Sequence, residues 1–311
     1  METKEEAKPL INFVEQNKEE KKAKIFSHSR LSAFEQCKLK YKFRYIDGII
    51  PEIEKTIESH LGSSVHSALE WLYKQIKFGK IPAVEELVIA YSDFWKEEYN
   101  SEIPIVKKNF GVEHYFNRGV EFLIYYYLEH TPFDDNTIDV EKEILINLDE
   151  TGNYKIRGFI DRLAYNNKTE EYEIHDYKTS SSLPADDVFE KDRQLALYAI
   201  AIKEIYGMEK SVRLIWHYLS FKKIIRGNRT DEQLQKLKEE TLNLIKSIEE
   251  TKNYTPTKSF LCNWCEFKSI CPAWGNKQKD KQLEIKRLRI EKLAREKEVE
   301  KELLELQKEI N

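Results

Sequence analysis

Glycine and proline are scarce, at 10 and 8 of 311 residues. That excludes a collagen-like chain and argues against a turn-dominated all-β fold. Long hydrophobic runs are missing. The longest, Phe122–Leu128, falls far short of the ~20 residues of a spanning helix, and Met1–Glu6 holds no hydrophobic signal core. The expected setting is therefore cytoplasmic and reducing, with no membrane contact. Cationic excess is absent as well: 51 basic residues against 55 acidic ones leave a net charge of −4. The chain is no polycation, so any nucleic-acid site must be a local patch. Only four cysteines occur. In a reducing setting they are ligands or free thiols rather than disulfides.

What the chain does have is aromatics and charge. Seventeen Tyr, 15 Phe and 5 Trp are too many for a solvated polymer. Charged residues reach 34%, which suits long exposed helices. The length is about two domains' worth.

Residues 1–27 read as a flexible polar arm. Residues 29–46 read as a short basic helix capped by Ser29 or Ser32. Apolar residues recur at helical spacing over 59–78, and 83–100 and 109–130 read as two more helices. Alternation over 140–148 gives a strand, followed by strands at 154–165 and 171–179. A helix is expected over 187–206, a strand over 212–220 with a hairpin partner at 221–225, and a helix over 231–250. Residues 260–274 form a cysteine-bearing loop, and 276–311 a charged helix. The order is that of an α/β fold: a mixed sheet flanked by helices.

The chemistry concentrates in one hairpin. A turn centred between residues 168 and 169 places Asp161 opposite Asp176. Opposed side chains on one face lie ~5 Å apart at Cβ, which suits two carboxylates gripping one divalent cation. Lys178 lies on the same face, two residues on. Phe159, Leu163, Tyr165, Tyr172 and Ile174 share that parity, so the acids are expected on an apolar surface. Paired anions are costly there without a neutralising cation, and Mg²⁺ is the natural one. Without a metal, the alternative is an ordinary ion-pair network of Asp161 with Arg162 or Lys178.

The string Gly158-Phe-Ile-Asp161-Arg, a short hairpin, then Asp176-Tyr-Lys178-Thr resembles the PD-(D/E)XK nuclease superfamily in its RecB-like exonuclease branch. Ile160 stands where the superfamily's name has proline, and Asp176 where many relatives carry Glu. The resemblance spans about 28–275. It implies a restriction-endonuclease-like core at about 138–226, an α-helical insert at about 80–135 and an Fe–S-stapled carboxy-terminal segment. It also implies Mg²⁺ or Mn²⁺ held by His66, Asp161, Asp176 and the carbonyl of Tyr177. Asp161, Asp176 and Lys178 become the catalytic residues. Gln194 and Tyr198 match its Q-x-x-x-Y motif, which positions nucleic acid.

Cys262, Cys265 and Cys271 form C-x-x-C-x5-C, followed by Pro272, and Cys37 lies far upstream. Their chemistry admits Zn²⁺, while the Cys-Pro ending and single C-x-x-C favour a cluster. The resemblance, to the subset with AddB-like and CRISPR-adaptation nucleases, implies a [4Fe–4S] cluster in the loop 260–274, closed by Cys37. Two stretches are basic: 21–46, with Lys40 and Arg44, and 210–230, with Lys222 and Arg226. Interleaved aromatics make them candidate phosphate-tracking surfaces; the alternative is a solvated face. The expected function is a metal-dependent deoxyribonuclease, an exonuclease on single-stranded or duplex DNA ends in repair, recombination or CRISPR adaptation. The chain has no G-x-x-x-x-G-K-[ST] loop, so a helicase motor or CRISPR-adaptation subunit would be a separate partner. The rival readings are a non-catalytic DNA-binding scaffold subunit and a redox iron–sulfur protein.

Overall fold

The computed structural model describes residues 23–275, apart from 52–54, 108, 186–188, 190 and 191, together with residue 295. Most of the expected polar arm and all but one residue of the expected helix at 276–311 lie outside the described residues.

Six strands form one mixed sheet: β1 (Lys24–Phe26), β2 (Asn136–Asn147), β3 (Tyr154–Asn166), β4 (Glu171–Lys178), β5 (Val212–Tyr218) and β6 (Lys223–Gly227). β3 is the hub. β2 runs antiparallel along one side of it. On the other side β1 lies parallel over Tyr154–Ile156, and β4 pairs antiparallel from Arg162 onward. β5 follows parallel to β4, and β6 returns antiparallel to β5. Strand β1 corrects the reading of residues up to 27 as an arm. Three residues are too few for a period-two signal, and the pairing with β3 supplies the order. Ser27, rather than Ser29 or Ser32, caps α1 (His28–Gln36): its Oγ accepts from the Arg30 amide at 3.2 Å.

Seven α-helices are described. After α1 come α2 (Lys38–Tyr41), α3 (Ile57–Lys77), α4 (Val84–Glu98), α5 (Val112–His130), α6 (Arg193–Tyr206) and α7 (Asp231–Glu250). Helix α6 is buried from Leu195 through Lys203. Its apolar residues share a core with Ile146, Ile156, Leu163, Ile174 and Trp216 of the sheet. A helix apolar on all sides must be covered on all sides, and α6 is. Helices α3, α4 and α5 build a second core from Leu61, Val65, Leu69, Leu87, Tyr91, Phe122 and Tyr126.

One close approach fixes that bundle. A Cβ on Gly119 of α5 would lie 2.1 Å from the Tyr91 hydroxyl and 2.4 Å from its Cζ. In an exposed helix, alanine would gain about 1 kcal/mol over glycine. Here Tyr91 is fully buried and its hydroxyl donates to the Phe116 carbonyl at 3.2 Å. Overpacking costs about 1–3 kcal/mol and outweighs the propensity gain. Gly119→Ala should therefore lower the urea midpoint; an unchanged or raised midpoint would contradict this packing.

Alternation along β3 changes face at one point. Ile156 and Ile160 join the core beneath α6, and so does Leu163, three positions further on. Odd and even positions of a strand point to opposite faces, so the strand turns over near Asp161. Opposite that point Glu141 interrupts the β2–β3 ladder with a left-handed backbone, φ 47°, uncommon for a non-glycine residue. In consequence Phe159, expected on the buried face with Leu163, is 44% exposed.

Candidate active site

β3 and β4 pair Arg162 with His175 and Leu163 with Ile174, the register that the turn arithmetic gives. At the next step the ladder ends. The Tyr177 amide donates to the Asp161 carboxylate (Oδ2, 2.9 Å). β4 keeps its pairing to β5 as far as Lys178, so the two strands fork. Asp161 stands on one prong, and Asp176 and Lys178 on the other.

Helix α3 brings His66 to the fork. Its Nε2 lies 2.7 Å from the Tyr177 carbonyl and its Nδ1 lies 3.4 Å from Asp161 Oδ2. Burial disfavours the imidazolium, but the charge and hydrogen bond of Asp161, aided by Asp176, outweigh it and push His66 up to about 9. The close approach of α3 is permitted by Gly62, where a Cβ would lie 3.2 Å from Thr179 Oγ1.

Asp176 is buried. Lys178 Nζ donates to its Oδ1 at 2.9 Å and stands 2.7 Å from Oδ2, outside hydrogen-bond geometry, so that buried oxygen has no hydrogen-bond partner. Burial raises the Asp176 carboxyl to about 6, with Lys178 opposing and Asp161 adding. Lys178 also lies 3.4 Å from Gln194 Oε1, and Gln194 Nε2 donates to the Tyr198 hydroxyl at 3.3 Å. The Q-x-x-x-Y residues, one turn apart on α6, thus extend the row that starts at Asp176. Tyr198 packs on Gly158, where a Cβ would lie 2.4 Å from its ring.

Sequence reasoning missed Glu141. His66, Glu141 and Asp161 each offer a ligand atom within 4.8 Å of the others. Burial, then the Asp161 charge, pushes Glu141 up to about 7. The signal was present: a β2–β3 turn centred on Thr151 sets Glu141 opposite Asp161. Two carboxylates, Asp161 and Glu141, meet at His66, while Asp176, held by Lys178, stands outside that group with a buried oxygen unpartnered. That donor set fits a hard divalent cation.

The ion pair weighed as an alternative, Asp161 with Arg162, does not form. Arg162 points to the opposite face and is 1% exposed. It pairs with Asp135 and donates to the His175 ring at 2.9 Å. Beside it, hydroxyls of Tyr73, Tyr126 and Tyr177 form a buried chain with steps of 2.7 and 3.2 Å.

The four cysteines line one cavity, together with Leu39, Phe43 and Phe267, and none of them is in a disulfide. Backbone amides face the sulfurs: Thr257 N lies 3.4 Å from Cys37 Sγ and Ser259 N 3.4 Å from Cys262 Sγ. Phe267 and Ala273 supply backbone hydrogen bonds to Cys265 and Cys271. Such donors match the charge of thiolate ligands.

The basic residues divide. Lys40 and Arg44 reach Glu266 of the cysteine loop at 3.2 and 2.9 Å. Lys222 sits over the Tyr125 ring at 5.0 Å. Arg226 is exposed on β6, paired with Ile215. The row that runs from Asp176 through Lys178 to Tyr198 is built without any of the four.

The mixed sheet thus forks at Asp161 and Asp176 beside Lys178. A sequence profile of the PD-(D/E)XK nuclease superfamily matches residues 25–272. The chain belongs to that superfamily, whose members use divalent metals to cleave DNA. The solved structure of SSO0001 is 18% identical with a TM-score of 0.32, covering 69% of this chain and 94% of its own. A protein from Eubacterium rectale, provisionally named an exonuclease, is 14% identical with a TM-score of 0.43, covering 76% and 85%. No curated protein matches the sequence. Among the described residues no helix is long and apolar enough to cross a membrane.

Proposed function

We propose that residues 28–275 form a RecB-like exonuclease domain that hydrolyses single-stranded DNA ends. The observation that carries this reading is the row Asp176–Lys178–Gln194–Tyr198 facing the group His66, Asp161 and Glu141 across the fork. His66, Asp161, Asp176 and the Tyr177 carbonyl would hold Mg²⁺ or Mn²⁺, with Glu141 within reach. When bound there, such a cation would supply polarisation of the scissile phosphate and a lower pKa for the attacking water. Lys178, held by Asp176 and Gln194, orients that water and meets the charge that builds on the phosphate. The Gln194 amide and Tyr198 hydroxyl position the adjoining phosphate. Digestion of ends during repair, recombination or CRISPR adaptation would draw on a helicase or adaptation subunit as partner.

The cysteines would carry a [4Fe–4S] cluster. What supports this reading is the spacing C-x-x-C-x5-C followed by Pro272, and a cavity lined by Cys37 together with Cys262, Cys265 and Cys271. Among the described residues the sulfurs form no group of three within 4.8 Å of one another.

The test is cleavage of end-labelled single-stranded DNA with and without Mg²⁺. The parent should cleave only with metal, and Asp161→Ala should lose at least about a hundredfold. Equal cleavage by Asp161→Ala would remove the site. DNA binding by a parent that never cleaves would select the scaffold reading.

A further inference from the structure

Two cavities, of about 570 and 440 Å³, adjoin one another, and the first is lined by Lys178. They share Glu58, Thr179, Ser180 and Trp264, so they form one continuous cleft. Four walls bound it: the start of α3, the segment between α4 and α5 with the first turns of α5, the end of β4 with the residues that follow it to Ser182, and the cysteine loop. Each cavity is the size of a pocket for a drug-sized ligand, so each has room for a nucleotide or two.

The lining has two chemistries. Large rings stand in solvent: Phe260 is 74% exposed, Phe110 42% and Trp264 39%. Phe110 already stacks on His114 at 4.1 Å and 12°, which shows that this wall presents flat faces. Cations without a carboxylate partner among the described residues stand between the rings. Lys107 donates to the Ser181 hydroxyl at 2.8 Å, and Arg118 rests over the Phe122 ring. The cleft's other cations are committed: Arg44 to Glu266, Lys55 to Glu98 and Lys178 to Asp176. Exposed rings alternating with uncommitted cations make a stacking platform with phosphate contacts, the pattern that holds single strands without reading sequence.

We propose that this cleft is the entry path of a single-stranded polynucleotide. Bases stack on Trp264, Phe260 and Phe110, Lys107 and Arg118 contact phosphates, and the strand leads to Lys178. The proposal rests on the nuclease reading for its destination. It also gives the cysteine loop a role in binding, because that loop is the wall that carries Trp264 and Phe260. Among the described residues Glu58 is the one cleft acid not paired to a cation. It accepts from the Tyr115 hydroxyl at 3.0 Å, which keeps Oε1 engaged.

Binding without divalent cation tests the path, because cleavage is then silent. The full chain is titrated by fluorescence anisotropy with a short oligo-dT, with oligo-rU of the same length and with a blunt duplex. Trp264→Ala should weaken single-strand binding about tenfold without altering the dependence of log K on log salt. Trp264→Phe keeps a ring and should stay near the parent, which separates lost stacking from a damaged fold. Lys107→Ala and Arg118→Ala should each reduce the salt slope by about 0.7. The tighter of the two oligomers identifies DNA or RNA as the source. Trp264→Ala binding within about twofold of the parent would overturn the proposal, since a lost stacking contact costs more. So would an equal loss on duplex, or salt slopes unchanged in both cation variants. The nuclease reading fails separately, by absence of metal-dependent cleavage in the parent.

Discussion

Lys178→Met should cut single-turnover cleavage by about a hundred- to a thousandfold at saturating Mg²⁺, the scale of losing one preorganised charge at the reacting phosphate. A second effect follows from what the ammonium does to its neighbour. Asp176 is raised to about 6 by burial, with Asp161 adding to the rise; Lys178 is the strongest influence holding it down, and His66 is weaker. Without Lys178 the carboxyl rises further, so its neutral form persists to higher pH. A neutral carboxyl is a poor ligand for a hard cation. The metal concentration for half-maximal rate should therefore increase at about pH 7, and the increase should shrink as pH rises and Asp176 ionises. Lys178→Arg keeps the charge and should restore much of the metal affinity. It should not restore the rate, because a planar fork cannot replace a compact ammonium between Asp176 and Gln194. Cleavage by Lys178→Met within about fivefold of the parent would show that the phosphate is met by another group.

The hairpin was legible because its arithmetic is rigid. A strand has period two, and one turn centre sets every partner, so the pairs Arg162–His175 and Leu163–Ile174 follow from residue numbers alone, while the step that would set Asp161 opposite Asp176 falls where the ladder has ended. The same arithmetic on the β2–β3 turn would have found Glu141. What it could not show is the left-handed backbone at Glu141, which lets β3 change face and turns Phe159 outward. Local patterns also say nothing of distant partners. Lys40 and Arg44 read as phosphate contacts because the stretch 21–46 offers eight cations against one acid, Glu35. Glu266, far along the chain, is carried to them by the cysteine loop. Arg162 read as a surface partner of Asp161 for the same reason. Its true partners, Asp135 and His175, come from the start of β2 and from the far face of β4. Residues 24–26 formed a strand that no local signal announces, because β3 supplied the template.

The cysteine loop offers the other large effect. It is built of short 3-10 turns (Phe260–Trp264, Lys268–Ile270 and Pro272–Trp274). Its own core is five buried residues: Leu39, Phe43, Ile49, Phe267 and Ile270. So small a cluster stabilises a segment weakly, and the two ion pairs to Glu266 add about 1 kcal/mol each at most. Burial raises the Cys265 and Cys271 thiols above their ordinary value, so without a metal they stay neutral and contribute little. Ligation reverses this: it deprotonates the sulfurs, and its binding free energy becomes folding free energy for the loop. Protein purified without oxygen should therefore hold about four irons per chain and absorb visible light. Cys265→Ser should lose the iron and leave 255–275 open to limited proteolysis. The two larger cores contain none of these five residues and none of the cysteines, so the circular dichroism of the sheet and helices should survive. Because Trp264 adjoins Cys265, the iron-free variant should also lose about as much oligo-dT affinity as Trp264→Ala. Stoichiometric zinc in place of iron would replace the cluster with a single-ion site. A protease-resistant, metal-free loop would mean that five apolar side chains and one glutamate hold it by themselves.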